Sequence, residues 1–200
     1  MNSRVAKYSV KVDCGCGDRK VEEKCIGIDV RRTNAVDIVA YLLFLPIKAK
    51  CVDTLYARSV IEHFHNPYGF LEEAHRVLKS DGVMMMWVPN TGSCGAHLAQ
   101  QHPAGHKFLG DYALWKWILK GFFMEVEGTG VGIKFRSCPT YFRVIQQVLV
   151  RIGFYDFAYD LFFVCRKLRD KVEYNYPIWW AGKYNIDKDA YSTLKCTGKK

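Results

Sequence analysis

Several common features are missing from this 200-residue chain, and each absence removes a class of protein. No apolar run approaches the roughly 20 residues a membrane-crossing helix needs; the longest, residues 38–47, is far shorter. The first residues, Met-Asn-Ser-Arg-Val-Ala-Lys-Tyr, hold no apolar h-region, so no secretory signal is expected. The eight cysteines, at 14, 16, 25, 51, 94, 138, 165 and 196, form no CxxC pair, and Cys14 and Cys16 are too close for a usual zinc knuckle. Several lie in apolar runs, where a thiol behaves as a small hydrophobe, which reads as reduced cysteine in a cytoplasmic protein. His102 and His106 have the spacing of two ligands on a helix, but Pro103 and Gly105 break a helix there, and no metal site is expected. There is no internal repeat and no low-complexity linker. Acid is also short: 20 Asp and Glu face 29 Lys and Arg, for a net charge of +9. That balance favours anionic partners such as nucleic acid, acidic lipid or a phosphorylated or carboxylated small molecule. A lysine-rich surface on an ordinary enzyme is the plainer alternative.

What is present suffices for a core. Half the residues are hydrophobic and 14% are aromatic, which excludes wholesale disorder. The length fits one domain with a modest extension. Residues 1–170 read as the domain, and residues 171–200 as a basic, aromatic extension with Tyr174, Tyr176, Trp179, Trp180 and Tyr184.

Short strand-like runs alternate with turns and helices, the pattern of an α/β fold. Ser9–Asp13, Cys25–Asp29, Asp37–Ala40 and Val52–Ala57 read as strands. Tyr68–Lys79 reads as a helix through Leu71, Ala74, Val77 and Leu78, with Gly82 just past its end. Val83–Val88 is a continuous apolar run, which suits a strand buried on both faces. Asp111 is positioned to cap a helix that Gly121 stops. Phe122–Thr129 and Leu161–Cys165 read as strands, with a helix from Pro139 to Gly153 between them. Only seven residues separate Gly17 from Cys25, so the first crossover helix must shrink to about a turn or become a loop, because a βαβ crossover takes about 10–12 residues.

The chemistry concentrates where the first two strands end. Val12-Asp13-Cys14-Gly15-Cys16-Gly17 is a strand running into a glycine turn, which lets backbone approach a ligand closely. Asp29 ends the next strand, where an acid can accept from both hydroxyls of a ribose. A lone GxG is weak evidence; its order with later segments adds weight. Those segments are Leu45-Pro46, Val52-Asp53, Ser59-Val60-Ile61-Glu62-His63, Arg76-Val77-Leu78-Lys79 with Gly82, and Val88-Pro89-Asn90.

This order resembles the class I S-adenosylmethionine-dependent methyltransferases, in particular small members with an "LGCG…GIDV…LPF…FD…VLEHF…RVLKPGG…VPN" pattern. The resemblance covers residues 8–90 closely and extends weakly through residues 121–126 and 160–167. It implies a Rossmann-like sheet of about seven strands, mostly parallel with an antiparallel last strand, and S-adenosylmethionine as cofactor. It implies that Gly15 and Gly17 line the methionine and ribose, with Asp13 and Cys16 in the same turn contacting cofactor. Asp29 would hold the ribose hydroxyls, Val30 would pack on the adenine, and Tyr41 and Leu42 would lie at its edge. Arg58 and Ser59 would face the methyl group. The sequence departs from the pattern at three places. Asp18-Arg19-Lys20 stands where a third glycine is common, Tyr41 where an aspartate often meets the adenine amino group, and Ser59 where histidine or asparagine is frequent.

Methyl transfer from a sulfonium is an in-line displacement that needs alignment, and a general base when the acceptor carries a proton. His63 is the first candidate for that base and Glu62 the second, with His102 or His106 able to enter from a lid; bracing of the following turn is the structural alternative for Glu62 and His63. Asp13 has an alternative as a turn cap, and His75 reads as a solvated residue on an exposed helix side. The acceptor site is expected within residues 91–120 and 131–160. A small molecule or RNA is the expected acceptor, the basic aromatic extension suiting single-stranded RNA by charge and stacking. Packing of that extension on the domain, or of Trp179 and Trp180 on a membrane surface, are its other readings. A non-catalytic binding or scaffold subunit of the same fold is the alternative function. A nicotinamide dehydrogenase fits less well, because the Glu62-His63 and Val88-Pro89-Asn90 segments do not belong to it.

Overall fold

The structure is a computed structural model, and it describes residues 9–92, 105–133, 140–155, 158–170 and 172. The extension beyond residue 172, and His102, lie outside the described residues. The strands are β1 (Lys11–Cys14), β2 (Ile26–Asp29), β3 (Ile38–Val39), β4 (Val52–Arg58), β5 (Leu78–Pro89), β6 (Glu125–Ile133) and β7 (Ala158–Arg166). They form one seven-stranded sheet in the order β3-β2-β1-β4-β5-β7-β6. Strands β1 to β5 pair in parallel, and β7 runs antiparallel to both β5 and β6. This is the Rossmann-like methyltransferase sheet that the sequence led us to expect.

Helices follow only the later strands. Helix α1 (Pro67–Val77) lies between β4 and β5, α2 (Tyr112–Phe122) between β5 and β6, and α3 (Thr140–Arg151) between β6 and β7. The links from β1 to β2, β2 to β3 and β3 to β4 carry turns and bends but no helix. The first crossover is therefore a loop, as its seven-residue span between Gly17 and Cys25 requires.

The helix ends follow local rules. Asn66 caps α1 by accepting from the Tyr68 amide, and Pro67 occupies the first helical position, where its missing N–H costs nothing. Asp111 caps α2 by accepting from the Leu114 amide. Two boundaries differ from the sequence expectation. Helix α2 runs through Gly121 and Phe122, because the Phe123 amide still bonds to the Leu119 carbonyl, and β6 starts only at Glu125. Helix α1 stops at Val77 and passes directly into β5.

Strand β5 is not buried equally on both faces. Met84, Met86 and Val88 are fully buried, whereas Val83, Met85 and Trp87 are half-buried. Register explains the asymmetry. Met86 pairs with Phe163, and Phe163 with Gly128, on the face that Tyr112 of α2 covers. Met85 shares the other face with Tyr56, where the loop after β1 reaches over only as far as the Glu22–Tyr56 hydrogen bond of 2.6 Å. His75 also departs from expectation. It is buried, its Nε2 lies 2.9 Å from the Arg169 carbonyl, and its ring faces Phe123. The segment after β7 crosses that side of α1 and removes it from solvent.

Candidate active site

Strand β1 ends at Cys14 and the chain turns through Gly15 and Gly17, at φ of 73° and 57°. Left-handed backbone is where glycine is needed. The turn is tied to β2: the Gly15 and Cys16 amides both donate to the Ile28 carbonyl, at 2.7 and 3.3 Å. The Gly17 amide donates to one carboxylate oxygen of Asp29 at 2.9 Å, and the Arg31 amide donates to the other at 2.9 Å. Asp29 is buried, and the Arg31 guanidinium stands 3.6 Å from it. A carboxylate has about four lone-pair sites, so two remain for an incoming pair of hydroxyls.

A cavity of about 640 Å³ opens at this point, beyond the carboxyl ends of β1, β2 and β4. Ligands of open α/β sheets bind at such a place. One wall is Gly15, Asp29, Val30, Arg31, Tyr41 and Leu42; the other is Ser59, Val60, His63 and Phe64. Val60 lies so close over Gly15 that a Cβ there would come within 2.4 Å of its Cγ2. Ser59 is held left-handed at φ 51°, its amide donating to the Trp87 carbonyl at 2.9 Å. A non-glycine residue in that region stores backbone strain of a kind that gathers at functional sites.

The cavity thus brings together Gly15, Asp29, Val30, Tyr41, Leu42, Ser59 and His63 from the residues singled out in the sequence. The others stand behind or beside it. Gly17 acts through its bond to Asp29. Asp13 is buried and accepts from the Val21 amide at 2.6 Å, and burial pushes its carboxyl above the ordinary range. Cys16 turns its thiol toward the Ala35 carbonyl, 3.8 Å away, and burial pushes it up to about 11, so it is no thiolate. Arg58 is exposed and donates to the Arg19 carbonyl at 2.9 Å. Glu62 is buried behind His63, and burial, with Asp160 adding to it, raises its carboxyl to about 7. Sequence reasoning missed Arg31, Val60 and Phe64. Arg31 had a signal, a cation two residues after the strand-ending acid; Val60 and Phe64 had none beyond flanking the Glu62-His63 segment.

Residues 12–86 match the family model of the methyltransferase domain, so the match spans β1 through most of β5, the part that builds this cavity. That segment is similar to a methyltransferase domain, and the sheet around it has the Rossmann-like methyltransferase fold. Solved structures share the fold. One is a SAM-dependent methyltransferase from Archaeoglobus fulgidus, at 15% identity over 80% of this chain and 87% of that one, with a TM-score of 0.58. Another, from Thermotoga maritima, is described as a SAM-dependent methyltransferase and possible histamine N-methyltransferase, at 15% identity over 82% and 84% of the two chains and a TM-score of 0.58. A third is phosphoethanolamine N-methyltransferase 2 of Haemonchus contortus in complex with S-adenosyl-L-methionine, at 12% identity over 80% of this chain and 49% of that one, with a TM-score of 0.56. No curated protein matches the chain. Among the described residues no helix is long and apolar enough to cross a membrane.

Proposed function

We propose that the cavity over Gly15 and Asp29 holds S-adenosylmethionine and passes its methyl group to an acceptor that enters beside Ser59 and His63. One observation carries this reading: Asp29 is buried at the end of β2, fixed by two backbone amides, and still borders the cavity. A buried carboxylate held this way is preorganised for a ribose diol, and the adenine then lies toward Val30, Tyr41 and Leu42. With Tyr41 in place of a carboxylate, adenine recognition rests on backbone groups and on packing. Gly17, Asp13 and Cys16 shape the turn from behind, and Arg58 ties the end of β4 to the loop after β1 through the Arg19 carbonyl.

The reaction breaks the sulfonium–methyl bond and forms the acceptor–methyl bond, leaving S-adenosylhomocysteine. The sulfonium is already a good leaving group, so alignment and exclusion of water do most of the work. An acceptor hydroxyl or ammonium must also lose a proton. His63, which borders the cavity, takes it, and the buried Glu62 behind it fixes its surroundings. The net charge of +9 favours an acceptor carrying negative charge, a small anionic molecule before RNA. The described cysteines are all free, which suits action in the cytoplasm.

The test is kinetic. His63→Ala is expected to cut turnover about 100-fold or more, the scale of general-base catalysis, with cofactor affinity near that of the parent. Unchanged turnover would remove His63 from the mechanism.

A further inference from the structure

Behind the cavity wall a second group of polar side chains converges. The ligand atoms of Glu62, His63 and His106 all lie within 4.8 Å of one another. Glu62 and His63 belong to the short 3-10 turn Ile61–His63 after β4, while His106 arrives from the segment before α2. That segment is pinned in place: the Lys107 and Phe108 amides both donate to the Glu62 carbonyl, at 2.8 and 3.0 Å. Phe108 is buried against Trp115, with ring centroids 4.9 Å apart. The two imidazoles meet edge to face at 5.1 Å.

Glu62 is only 2% exposed, and neither of its carboxylate oxygens has a hydrogen-bond partner. A buried carboxylate left this way is costly unless something compensates it. Neither imidazole donates a hydrogen bond to it, whereas a divalent cation would compensate the charge directly. Asp160 adds negative charge nearby.

We propose that Glu62, His63 and His106 bind a divalent transition-metal ion, with zinc the best match to two imidazoles and one carboxylate. Such ions hold nitrogen and oxygen at about 2.0–2.2 Å, which sets neighbouring ligand atoms about 3.4 Å apart in a tetrahedron. The side chains of His63 and His106 are half-buried and can close the remaining gap by small rotations. Three protein ligands leave a position open, as in catalytic rather than structural sites. His63 also borders the cavity, so an ion held by it would stand beside the place where the acceptor enters in the methyl-transfer reading. The proposal rests on the reading of that cavity as the methyl-transfer site. With an ion there, His63 would serve as a ligand, and the ion would lower the pKa of a nearby acceptor hydroxyl so that solvent could take its proton. Without the ion, His63 takes that proton itself.

The test uses the full chain, stripped with chelator and titrated with Co²⁺ and then Zn²⁺. One equivalent of Co²⁺ is expected to give visible bands of nitrogen and oxygen coordination without a thiolate charge-transfer band, and Zn²⁺ is expected to displace it. His106→Ala and Glu62→Gln are each expected to weaken Co²⁺ binding by more than the roughly 10–100-fold that loss of an outer-shell partner costs. His106→Ala should keep the parent's affinity for S-adenosylmethionine, which shows that it folds; His106→Gln replaces it if it does not. A thiolate spectrum, absence of saturable binding, or equal Co²⁺ affinity in parent and both variants overturns the metal site. Cofactor binding without metal binding overturns this proposal alone, and metal binding without cofactor binding overturns only the methyl-transfer reading.

Discussion

The two halves of the sheet are stabilised by different chemistry. Around β1, β2 and β3 the connections hold no helix, and carboxylates do the fastening. Asp13 accepts from Val21, Asp29 from Gly17 and Arg31, Asp37 from Gly27, and Asp53 from Val10, all through backbone amides. Glu73 and Arg76 of α1 fasten the next loop, at the Leu45 amide and at the Leu45 and Ile47 carbonyls. Around β5, β6 and β7 the fastening is aromatic. Trp87 packs on Phe162, Tyr112 on Tyr155 and Phe163, and Phe108 on Trp115, with centroids 4.2 to 5.5 Å apart. A helix satisfies its own amides, and a short loop cannot. The half without crossover helices therefore recruits side-chain acceptors, and one of them, Asp29, borders the cavity.

This contrast can be broken from either side. The largest stability loss is expected in the aromatic half. Trp115 is fully buried, and Trp115→Ala should cost about 3–5 kcal/mol, read by denaturant unfolding. In the carboxylate half, Asp29→Ala strands the Gly17 and Arg31 amides and should cost roughly 1–3 kcal/mol, together with most of the cofactor affinity. Calorimetry and unfolding on the same variant separate the two effects.

Gly15→Ala comes next, at roughly 1–2 kcal/mol for a left-handed alanine. It also drives a methyl group into Val60, which lines the cavity, so cofactor affinity should fall as well. Adding Val60→Ala should recover part of the loss by relieving the contact while leaving the backbone cost. No recovery in the double variant would show that Val60 is not what confines Gly15.

The smallest effect concerns pH. Burial holds the His75 imidazole below its ordinary pKa, with the Arg169 carbonyl opposing in part. The unfolded chain then binds a proton that the folded chain does not, so stability should decline as pH falls below about 6.5 and level off beneath the folded value. His75→Gln keeps a donor for Arg169 and should flatten that slope in thermal melts between pH 7.5 and 5.5. A slope identical to the parent's would assign the acid sensitivity elsewhere.

Much of the half around β1 and β2 was legible because its signals are local. The glycine turn, the acid ending β2 and the short span from Gly17 to Cys25 each speak through neighbours in the chain, and together they pointed to the sheet and to the cavity at its carboxyl edge. Residues whose roles depend on distant partners were harder to read. His75 is covered by Arg169, 94 positions away. Cys16 and Arg58 stand beside the turn and the strand end, but each turns toward a loop carbonyl, Ala35 and Arg19, rather than the cavity. The Glu62, His63 and His106 cluster needs a segment that reaches back over the 3-10 turn, which spacing alone does not reveal. Strand β5 reads as uniformly apolar, yet its two faces differ because helices cover one and a loop only part of the other.

The central claim is that Asp29 and the glycine turn grip an adenosyl group. Isothermal titration of the full chain with S-adenosylhomocysteine, beside Asp29→Ala, tests it most directly. Saturable micromolar binding by the parent, lost in the variant, is the predicted result. No heat from the parent, or equal affinity in both, would contradict it.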